Sequence, residues 1–144
     1  MKERYGFTLI ELLLVVAIIS ILAVSAAPFL TRLIWTNNLE VASDKVVGAI
    51  RKAQSYAMNG KSNTSWGVCL SQGKLRLFAG SCATPTYKED YDLTGVSITG
   101  LDETTFSGDA GKRGEPSGVL IITISGSLGV THINLNPGGG LDIN

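Results

Sequence analysis

Close to its N-terminus the chain has a long apolar segment, which begins at Phe7 and contains one acidic residue, Glu11. From Leu12 to Thr31 twenty consecutive residues carry no charge, and Glu11 stands directly before them. At about 1.5 Å of rise per residue, a helix of that length matches a bilayer core of about 30 Å. The pattern therefore predicts a membrane-spanning helix. Because a carboxylate at mid-membrane costs about 2.5–3.5 kcal/mol on insertion scales, Glu11 is a candidate functional residue that requires a partner.

Beyond Pro28 the pattern stays helical but becomes amphipathic. Apolar residues recur at spacings of three and four, at Trp35, Leu39, Ala42, Val46, Ala49 or Ile50, Ala53 and Ala57. Asn59-Gly60 supplies the left-handed residues that typically end a helix. The sequence predicts one helix from about Phe7 to about Met58, bent or loosened at Pro28, with its second half covering a sheet.

Downstream of this helix the apolar period changes to two. Two alternating segments flank Gln72-Gly73, a pair suited to a two-residue turn, and their apolar residues are Trp66, Val68 and Leu70, then Leu75, Leu77 and Ala79. Further strands are predicted around Val96 and Ile98 and over Val119 to Ile124, Val130 to Leu135 and Leu141 to Ile143. The predicted fold class is α+β: a long N-terminal helix packed on a C-terminal antiparallel β-sheet domain.

The turn at Gln72-Gly73 also fixes the register of the predicted hairpin. Leu70 then faces Leu75, and Val68 faces Leu77, so that both strands present their apolar sides together.

A positively charged partner for Glu11 arises if the chain is cut between Gly6 and Phe7. The new α-amine lies four residues before Glu11, one helical turn away on the same face. Within one subunit the amine could neutralise the acid. In a helical bundle the acid could instead reach the amine of a neighbouring subunit, and the pair would then set the axial register.

The residues at this point, Gly6-Phe7-Thr8-Leu9-Ile10-Glu11 and the apolar run that follows, closely resemble the class III signal of type IV pilins and type II secretion pseudopilins. The resemblance implies that a prepilin peptidase cuts after Gly6, that the amine of Phe7 is methylated, and that the mature subunit moves from the membrane into a helical filament. It also implies that Glu11 directs alignment with the neighbour and that Pro28 is the family's helix-kinking proline.

The order of elements resembles one subgroup, the H-type minor pseudopilins of type II secretion and the FimT-like minor pilins of type IV pili. The resemblance implies a non-enzymatic structural subunit without cofactors, anchored by a single pass in the bacterial inner membrane with its C-terminal domain in the periplasm. Its partners would be other pilin subunits and the prepilin peptidase. The expected divisions are a leader at 1–6, a membrane and filament-core helix at 7–31, an amphipathic half at 32–59 and a β domain at 60–144.

Two other interpretations of the N-terminus fit the sequence less well. An ordinary secretory signal carries its cleavage site after a shorter apolar stretch, whereas Gly6 stands before a longer one. An uncut membrane anchor is the better alternative, since Lys2 and Arg4 would hold the N-terminus inside in either case. A plain anchor gives no reason for Glu11.

Charge and composition argue against catalysis. Removing residues 1–6 takes away two basic side chains and one acidic one, which leaves ten basic and eleven acidic side chains in the mature chain. The single histidine, His132, lies on an alternating strand and reads as an exposed strand residue rather than a base. One histidine and two distant cysteines fall short of a metal site. We therefore expect neither an enzyme nor a metal protein.

The two cysteines leave two interpretations open. Outside the membrane Cys69 and Cys82 could form a disulfide worth about 3 kcal/mol in the chain-entropy model, or they could remain separate thiols. In the hairpin register Cys69 points away from the apolar side and lies opposite Arg76. A bridge therefore requires Cys82 to fold back through Gly80-Ser81.

A rival function is DNA binding in a minor pilin that takes part in DNA uptake. Its candidate phosphate contacts are Lys74 and Arg76 on the hairpin and Lys112 and Arg113 in a glycine-rich loop. The alternative is that these residues form solvated surface. The near-neutral charge of the mature chain and the absence of aromatic residues among these basic ones favour the alternative.

Overall fold

One long helix, α1 (Leu9–Met58), begins the structure, a computed structural model that describes residues 7–111 and 114–144 without the side chains of Ala26 and Ala27. The predicted helix end at Met58 is confirmed, and Gly60 follows it with a left-handed φ of 63°. The helix continues through Pro28. The chain divides into two compact units, Met1–Ile34 and Trp35–Asn144.

A short 3-10 turn and two antiparallel sheets follow the helix. The strands of the described chain are β1 (Trp66–Ser71), β2 (Lys74–Ala79), β3 (Tyr87–Tyr91), β4 (Val96–Thr99), β5 (Thr104–Phe106), β6 (Leu120–Gly126), β7 (Gly129–Leu135) and β8 (Leu141–Ile143). Sheet A has the order β3-β2-β1-β5, and sheet B has the order β4-β6-β7-β8. The α+β class of a helix followed by antiparallel strands is confirmed, but the strands form two four-stranded sheets rather than one.

The β1–β2 hairpin has the register that the sequence predicts. Leu70 pairs with Leu75, and Val68 pairs with Leu77. The turn residues Gln72 and Gly73 have φ angles of 53° and 73°. Two consecutive left-handed residues are the requirement of a type I′ turn, whose twist matches that of the flanking strands.

The core of Trp35–Asn144 lies between the second half of α1 and the inner faces of the two sheets. The predicted helical stripe is buried from residue 42 onward, at Ala42, Val46, Ala49, Ile50, Ala53 and Ala57. Its first two members, Trp35 and Leu39, are half-buried. The strands contribute fully buried side chains that include Trp66, Val68, Leu77, Ile122, Ile124 and Ile133. Apolar burial of this kind contributes about 25 cal/mol per Å² to folding.

The opposite face of sheet A carries a second buried layer. Phe78 is fully buried there and pairs with Gly67. A Cβ on Gly67 would collide with the carbonyl oxygen of Thr104 and lie 2.7 Å from the Phe78 ring, so only glycine fits beneath the aromatic ring. Sequence periodicity missed this layer, because Phe78 alternates out of phase with the core residues of its own strand.

A disulfide closes the chain over this second layer. Cys69 is 2% exposed and is bonded to Cys82, with the two Cα atoms 6.4 Å apart. Gly80 reverses the chain with a φ of 89°, and the backbone N–H of Cys82 donates to Oε1 of Glu103 at 3.1 Å. Of the two interpretations that the sequence leaves open, the structure contains the bridge.

The sequence did not predict two of the strands, β3 and β5. Strand β3 has the sequence Tyr-Lys-Glu-Asp-Tyr and lies at the edge of sheet A, where charged residues oppose pairing with other chains. Strand β5 has only three residues, and its outer side is covered by the segment 115–117. Backbone hydrogen bonds from Ser107 to Glu115 (2.9 Å) and from Ser117 to Thr105 (2.8 Å) hold that segment in place.

Candidate assembly site

The first turn of α1 is capped by Thr8. The backbone N–H of Glu11 donates to the Thr8 hydroxyl at 3.3 Å, and the N–H of Leu12 donates to the Thr8 carbonyl at 3.2 Å. Thr8 and Glu11 have the Thr-x-x-Glu spacing of a capping box. This spacing is the sequence signal of the capping role, which apolar periodicity alone does not indicate. Glu11 thus lies in the first helical turn, where the helix dipole favours a negative charge.

The helix exposes all the large apolar side chains that the structure describes between Phe7 and Ile34. Their exposed fractions range from 44% at Val15 to 82% at Phe7. This helix is long and apolar enough to cross a membrane, with a mean hydropathy of 2.8 over its most apolar window. Surface of this kind is stable only against lipid or against other apolar helices.

The polar side chains inside the apolar run are satisfied by the helix itself. The hydroxyl of Ser20 donates to the carbonyl of Val16 at 2.7 Å, and that of Ser25 donates to the carbonyl of Ile21 at 3.0 Å. Such bonds remove the cost of an unpaired hydroxyl in a medium without water. Both serines are therefore compatible with a hydrocarbon environment.

The predicted processing residues lie at one end of this helix. Phe7 and Glu11 are both exposed and stand four residues apart at its start. Gly6 and the rest of the predicted leader at 1–6 lie outside the described residues, and so does the cut itself. Pro28 is exposed within the helix, twenty-one residues after Phe7.

The basic residues proposed for DNA contact are already paired where the structure describes them. Lys74 Nζ lies 2.8 Å from Oδ1 of Asp92, and Arg76 donates two hydrogen bonds to Asp90 at 2.7 and 3.0 Å. The bond from Arg76 holds the pKa of the Asp90 carboxyl below its usual range. Phosphate would have to compete with both carboxylates, which weakens the case for DNA binding. Lys112 and Arg113 lie outside the described residues.

A third ion pair joins α1 to strand β3. Lys52 Nζ lies 2.7 Å from Oε2 of Glu89, and the Tyr91 hydroxyl donates to Oε1 of the same carboxylate at 2.8 Å. The hydrogen bond between Lys52 and Glu89 favours the charged form of both groups. It lowers the pKa of Glu89 and raises the pKa of Lys52. This cluster fixes the charged edge strand of sheet A to the helix.

The histidine considered as a candidate base lies on the surface of sheet B. His132 is exposed on β7, with Nδ1 3.1 Å from the hydroxyl of Thr123 on the neighbouring strand. Within residues 7–111 and 114–144, no group of three or more His, Cys, Asp or Glu side chains could hold a metal ion.

Comparison with known proteins gives one match, at the N-terminus. Residues 1–27 match the family model of the prokaryotic N-terminal methylation motif, which covers Gly6, Phe7 and Glu11. The match supports the type IV pilin and pseudopilin superfamily, whose members assemble with other pilins and are processed by a prepilin peptidase. Together with the apolar helix, it indicates membrane anchoring. No curated protein and no solved structure matches the chain.

Proposed function

We propose that this chain is a minor pilin or pseudopilin, a non-enzymatic structural subunit of a type II secretion pseudopilus or a type IV pilus. One observation carries the proposal: the methylation motif at 1–27 runs into a helix whose apolar side chains stay exposed as far as Ile34. The same helix then supplies the core of the domain that follows. The minor, H-type or FimT-like assignment rests on this order of a long helix and antiparallel strands.

In this proposal the exposed half of the helix moves from the lipid of the membrane to the neighbouring helices of the filament. Lipid tails and neighbouring helices are similarly apolar, so burial alone gives little preference for one axial position over another. A charge pair supplies the preference that burial lacks. At an effective dielectric constant near 20, two unit charges 4 Å apart attract by about 4 kcal/mol.

Glu11 and the amine of Phe7 are the residues that would form this pair. The cut after Gly6 creates the amine, and Glu11 of one subunit then aligns with the Phe7 amine of its neighbour. A subunit at the wrong height would leave the carboxylate without a cation in a medium of low polarity, which is costly.

The first test changes the cleavage site. Gly6→Leu should leave an uncut precursor in the membrane, because the larger side chain blocks access of the peptidase. Mass spectrometry of the membrane-bound chain measures this directly. Normal processing of Gly6→Leu would contradict the assigned site.

The second test changes the acid. Glu11→Val should preserve membrane insertion, since it removes a polar group from the apolar segment, and should reduce incorporation into the filament at least tenfold. Ser20→Val is the matched control, because it also removes a polar group from the same helix but carries no charge. Full incorporation of Glu11→Val would contradict the role of Glu11.

A further inference from the structure

A polar pocket lies between α1 and the loop that joins β3 to β4. Its volume of about 170 Å³ has room for several water molecules, and so for the end of one side chain. Several of its residues are exposed, so the pocket is open to solvent. All of them belong to Trp35–Asn144. The lining consists of Asn37, Asn38, Val41, Ala42, Lys45, Asp92, Leu93 and Thr94.

Lys45 brings a positive charge to this pocket. Its Nζ donates a hydrogen bond to the backbone carbonyl of Asp92 at 2.8 Å, which holds the ammonium beside the β3–β4 loop. An ammonium group has three N–H donors, so two of them remain for another acceptor. None of the ion pairs within residues 7–111 and 114–144 involves Lys45. The charge of Lys45 is therefore not offset by a carboxylate of the described chain.

Asp92, an acidic residue of the lining, is paired with a cation from outside the pocket. Its Oδ1 lies 2.8 Å from Nζ of Lys74, which belongs to strand β2 and does not line the pocket. The charges of Lys74 and Asp92 offset each other. The charge of Lys45 thus makes the pocket attractive to an anion and repulsive to a cation.

Two amides and a hydroxyl add neutral hydrogen-bond donors. The side chains of Asn37, Asn38 and Thr94 line the pocket and make no hydrogen bond to other residues in the described part of the chain. Gly95, with a φ of 72°, leaves room for one of the amides, since a Cβ there would lie 3.1 Å from Nδ2 of Asn38. An occupant of the pocket can therefore accept hydrogen bonds from several groups besides Lys45.

The occupant that fits these groups is a carboxylate on a short aliphatic stem. An ionised carboxylate only accepts hydrogen bonds, and the ammonium, the amides and the hydroxyl can all donate them. Hydrogen bonds between an ammonium and a carboxylate are shorter and stronger than those between neutral groups. Val41, Ala42 and Leu93 offer apolar surface to the methylene groups of the stem. Aspartate and glutamate side chains have this form.

The place of the pocket on α1 indicates the source of the carboxylate. The apolar side chains of the helix are exposed as far as Ile34, and Asn37 follows three residues later on the same helix. In the proposed function the segment that ends at Ile34 packs against other subunits. A chain that packs there comes within reach of the residues that begin the pocket.

We propose that this pocket receives an aspartate or glutamate side chain of a neighbouring pilin-type subunit, a chain other than a copy of this one. The carboxylate of that side chain pairs with Lys45 and accepts hydrogen bonds from Asn37, Asn38 or Thr94. The inference rests on the proposed function, because it takes the neighbour to be another subunit of the same filament. It adds a contact made by the globular domain to the contact made by the N-terminal helix.

The first experiment reverses the charge of the pocket in the full-length chain. Lys45→Glu should reduce incorporation into the filament at least tenfold, because the acidic side chain of the neighbour is then repelled. Lys88→Glu is the matched control, since Lys88 is an exposed lysine of β3 outside the pocket and outside the ion pairs of the described chain. Incorporation of Lys45→Glu at the level of the control would overturn the proposal.

The second experiment identifies the neighbour's residue. A carbodiimide activates a carboxyl group, and a lysine amine close to it then forms an amide while the carbodiimide leaves as a urea. Assembled filaments that contain the unaltered chain are treated in this way, and the joined peptides are sequenced by mass spectrometry. The expected product links Lys45 to an aspartate or glutamate of another pilin-type subunit. It should disappear in Lys45→Arg, which keeps the charge but lacks the reactive amine. Lys45 peptides that are unjoined, or joined only to acidic residues of this chain, would overturn the proposal.

The third experiment separates a lost contact from a misfolded domain. Lys45 also bonds to the carbonyl of Asp92, so Lys45→Glu could lower incorporation by disturbing the domain itself. Exchanging the neighbour's acidic residue for lysine should restore incorporation of Lys45→Glu at least tenfold, because the pair is then present with its charges exchanged. A chain that cannot fold would not be rescued by a change in its neighbour. Absence of rescue would overturn the proposal.

Failure of this inference is distinguishable from failure of the proposed function. Cleavage after Gly6 and incorporation of the unaltered chain are measured in the same cells. If the unaltered chain is cut and incorporated but Lys45→Glu behaves like Lys88→Glu, only the pocket contact is wrong. If the unaltered chain is not cut, the proposed function is wrong and the pocket contact falls with it.

Discussion

In Met1–Ile34 the large apolar side chains that the structure describes are exposed, whereas Trp35–Asn144 has a core of fully buried apolar side chains that include Ile50, Trp66 and Phe106. Both regions include part of α1, so the difference does not come from the type of secondary structure. It comes from the distribution of polar residues: the first region is apolar all round, and the second is apolar on one stripe. We therefore expect the second region to fold by itself and the first to require lipid or other helices.

Separating the two regions gives the largest expected effect. A fragment of residues 35–144 should be soluble without detergent and unfold cooperatively, because its core lies entirely within it. The full-length chain should remain with the membrane fraction. Fractionation and denaturation followed by circular dichroism measure both properties. An aggregated or unfolded fragment would show that the domain depends on the N-terminal helix.

A matched pair of substitutions on α1 tests the same contrast one residue at a time. Ile50 is fully buried and Ile18 is 49% exposed. Ile50→Ala should lower the free energy of unfolding of the domain by about 2–5 kcal/mol, and Ile18→Ala should change it by less than about 0.5 kcal/mol. Urea denaturation in detergent, followed by tryptophan fluorescence, compares them. Equal losses would contradict the division into two independent regions.

Loss of the disulfide should have an effect of similar or smaller size. Replacing Cys69 and Cys82 by alanine should lower the free energy of unfolding by about 3 kcal/mol, because the unfolded chain loses a constraint that closes a short loop. Denaturation of the fragment in the presence and absence of reductant provides the measurement. Thiol labelling of the denatured, unreduced protein is the control, and reactive thiols there would contradict the bridge.

The smallest effect concerns the ion pairs of sheet A. The pKa values of Glu89 and Asp90 are lowered from the usual 4.5 and 3.8 by bonds from Lys52 and Arg76. A lowered pKa contributes stability that is present above the unfolded value and is lost as the pH falls through the folded one. The free energy of unfolding should therefore decrease as the pH falls below about 4.5.

The variant that checks this assignment is Glu89→Gln. This variant should reduce the dependence of the free energy of unfolding on pH below about 4.5. At neutral pH it should lower the free energy of unfolding by about 1 kcal/mol or less, since the pair with Lys52 is partly exposed. Asp102→Asn, which changes an exposed acid outside the ion pairs, is the matched control. An identical pH profile for Glu89→Gln and the unaltered fragment would rule out this contribution.

The features predicted correctly from the sequence are those set by local periodicity. The apolar stripe of α1, its end at Met58 and the register of the β1–β2 hairpin each depend on residues close together in the chain. The turn residues Gln72-Gly73 determine the strand pairing without any long-range contact. Such features are readable because the same short segment contains both the pattern and its cause.

The features that were missed depend on contacts between distant segments. The charged residues of β3 indicate a loop when the segment is considered alone. The segment forms a strand because it pairs with β2 and because Lys52 of α1 pairs with Glu89. Phe78 is buried only because Gly67 leaves room above the neighbouring strand. Tertiary packing overrides β propensity in β3 and the apolar alternation at Phe78.

The candidate site divides in the same way. Gly6, Phe7 and Glu11 lie within six consecutive residues. The sequence alone therefore leads to the hypothesis that the chain is cut after Gly6 and that Glu11 aligns neighbouring subunits. The carboxylate that pairs with Arg76, that of Asp90, lies fourteen residues further along the chain on β3. Only the pairing of β2 with β3 brings these two residues together.

The most direct test of the central claim is the N-terminal sequence of the mature chain, determined together with its mass. The account predicts that the chain isolated from the membrane or the filament begins at Phe7 and that its α-amine is methylated. A mature chain that begins at Met1, or at any residue other than Phe7, would contradict it.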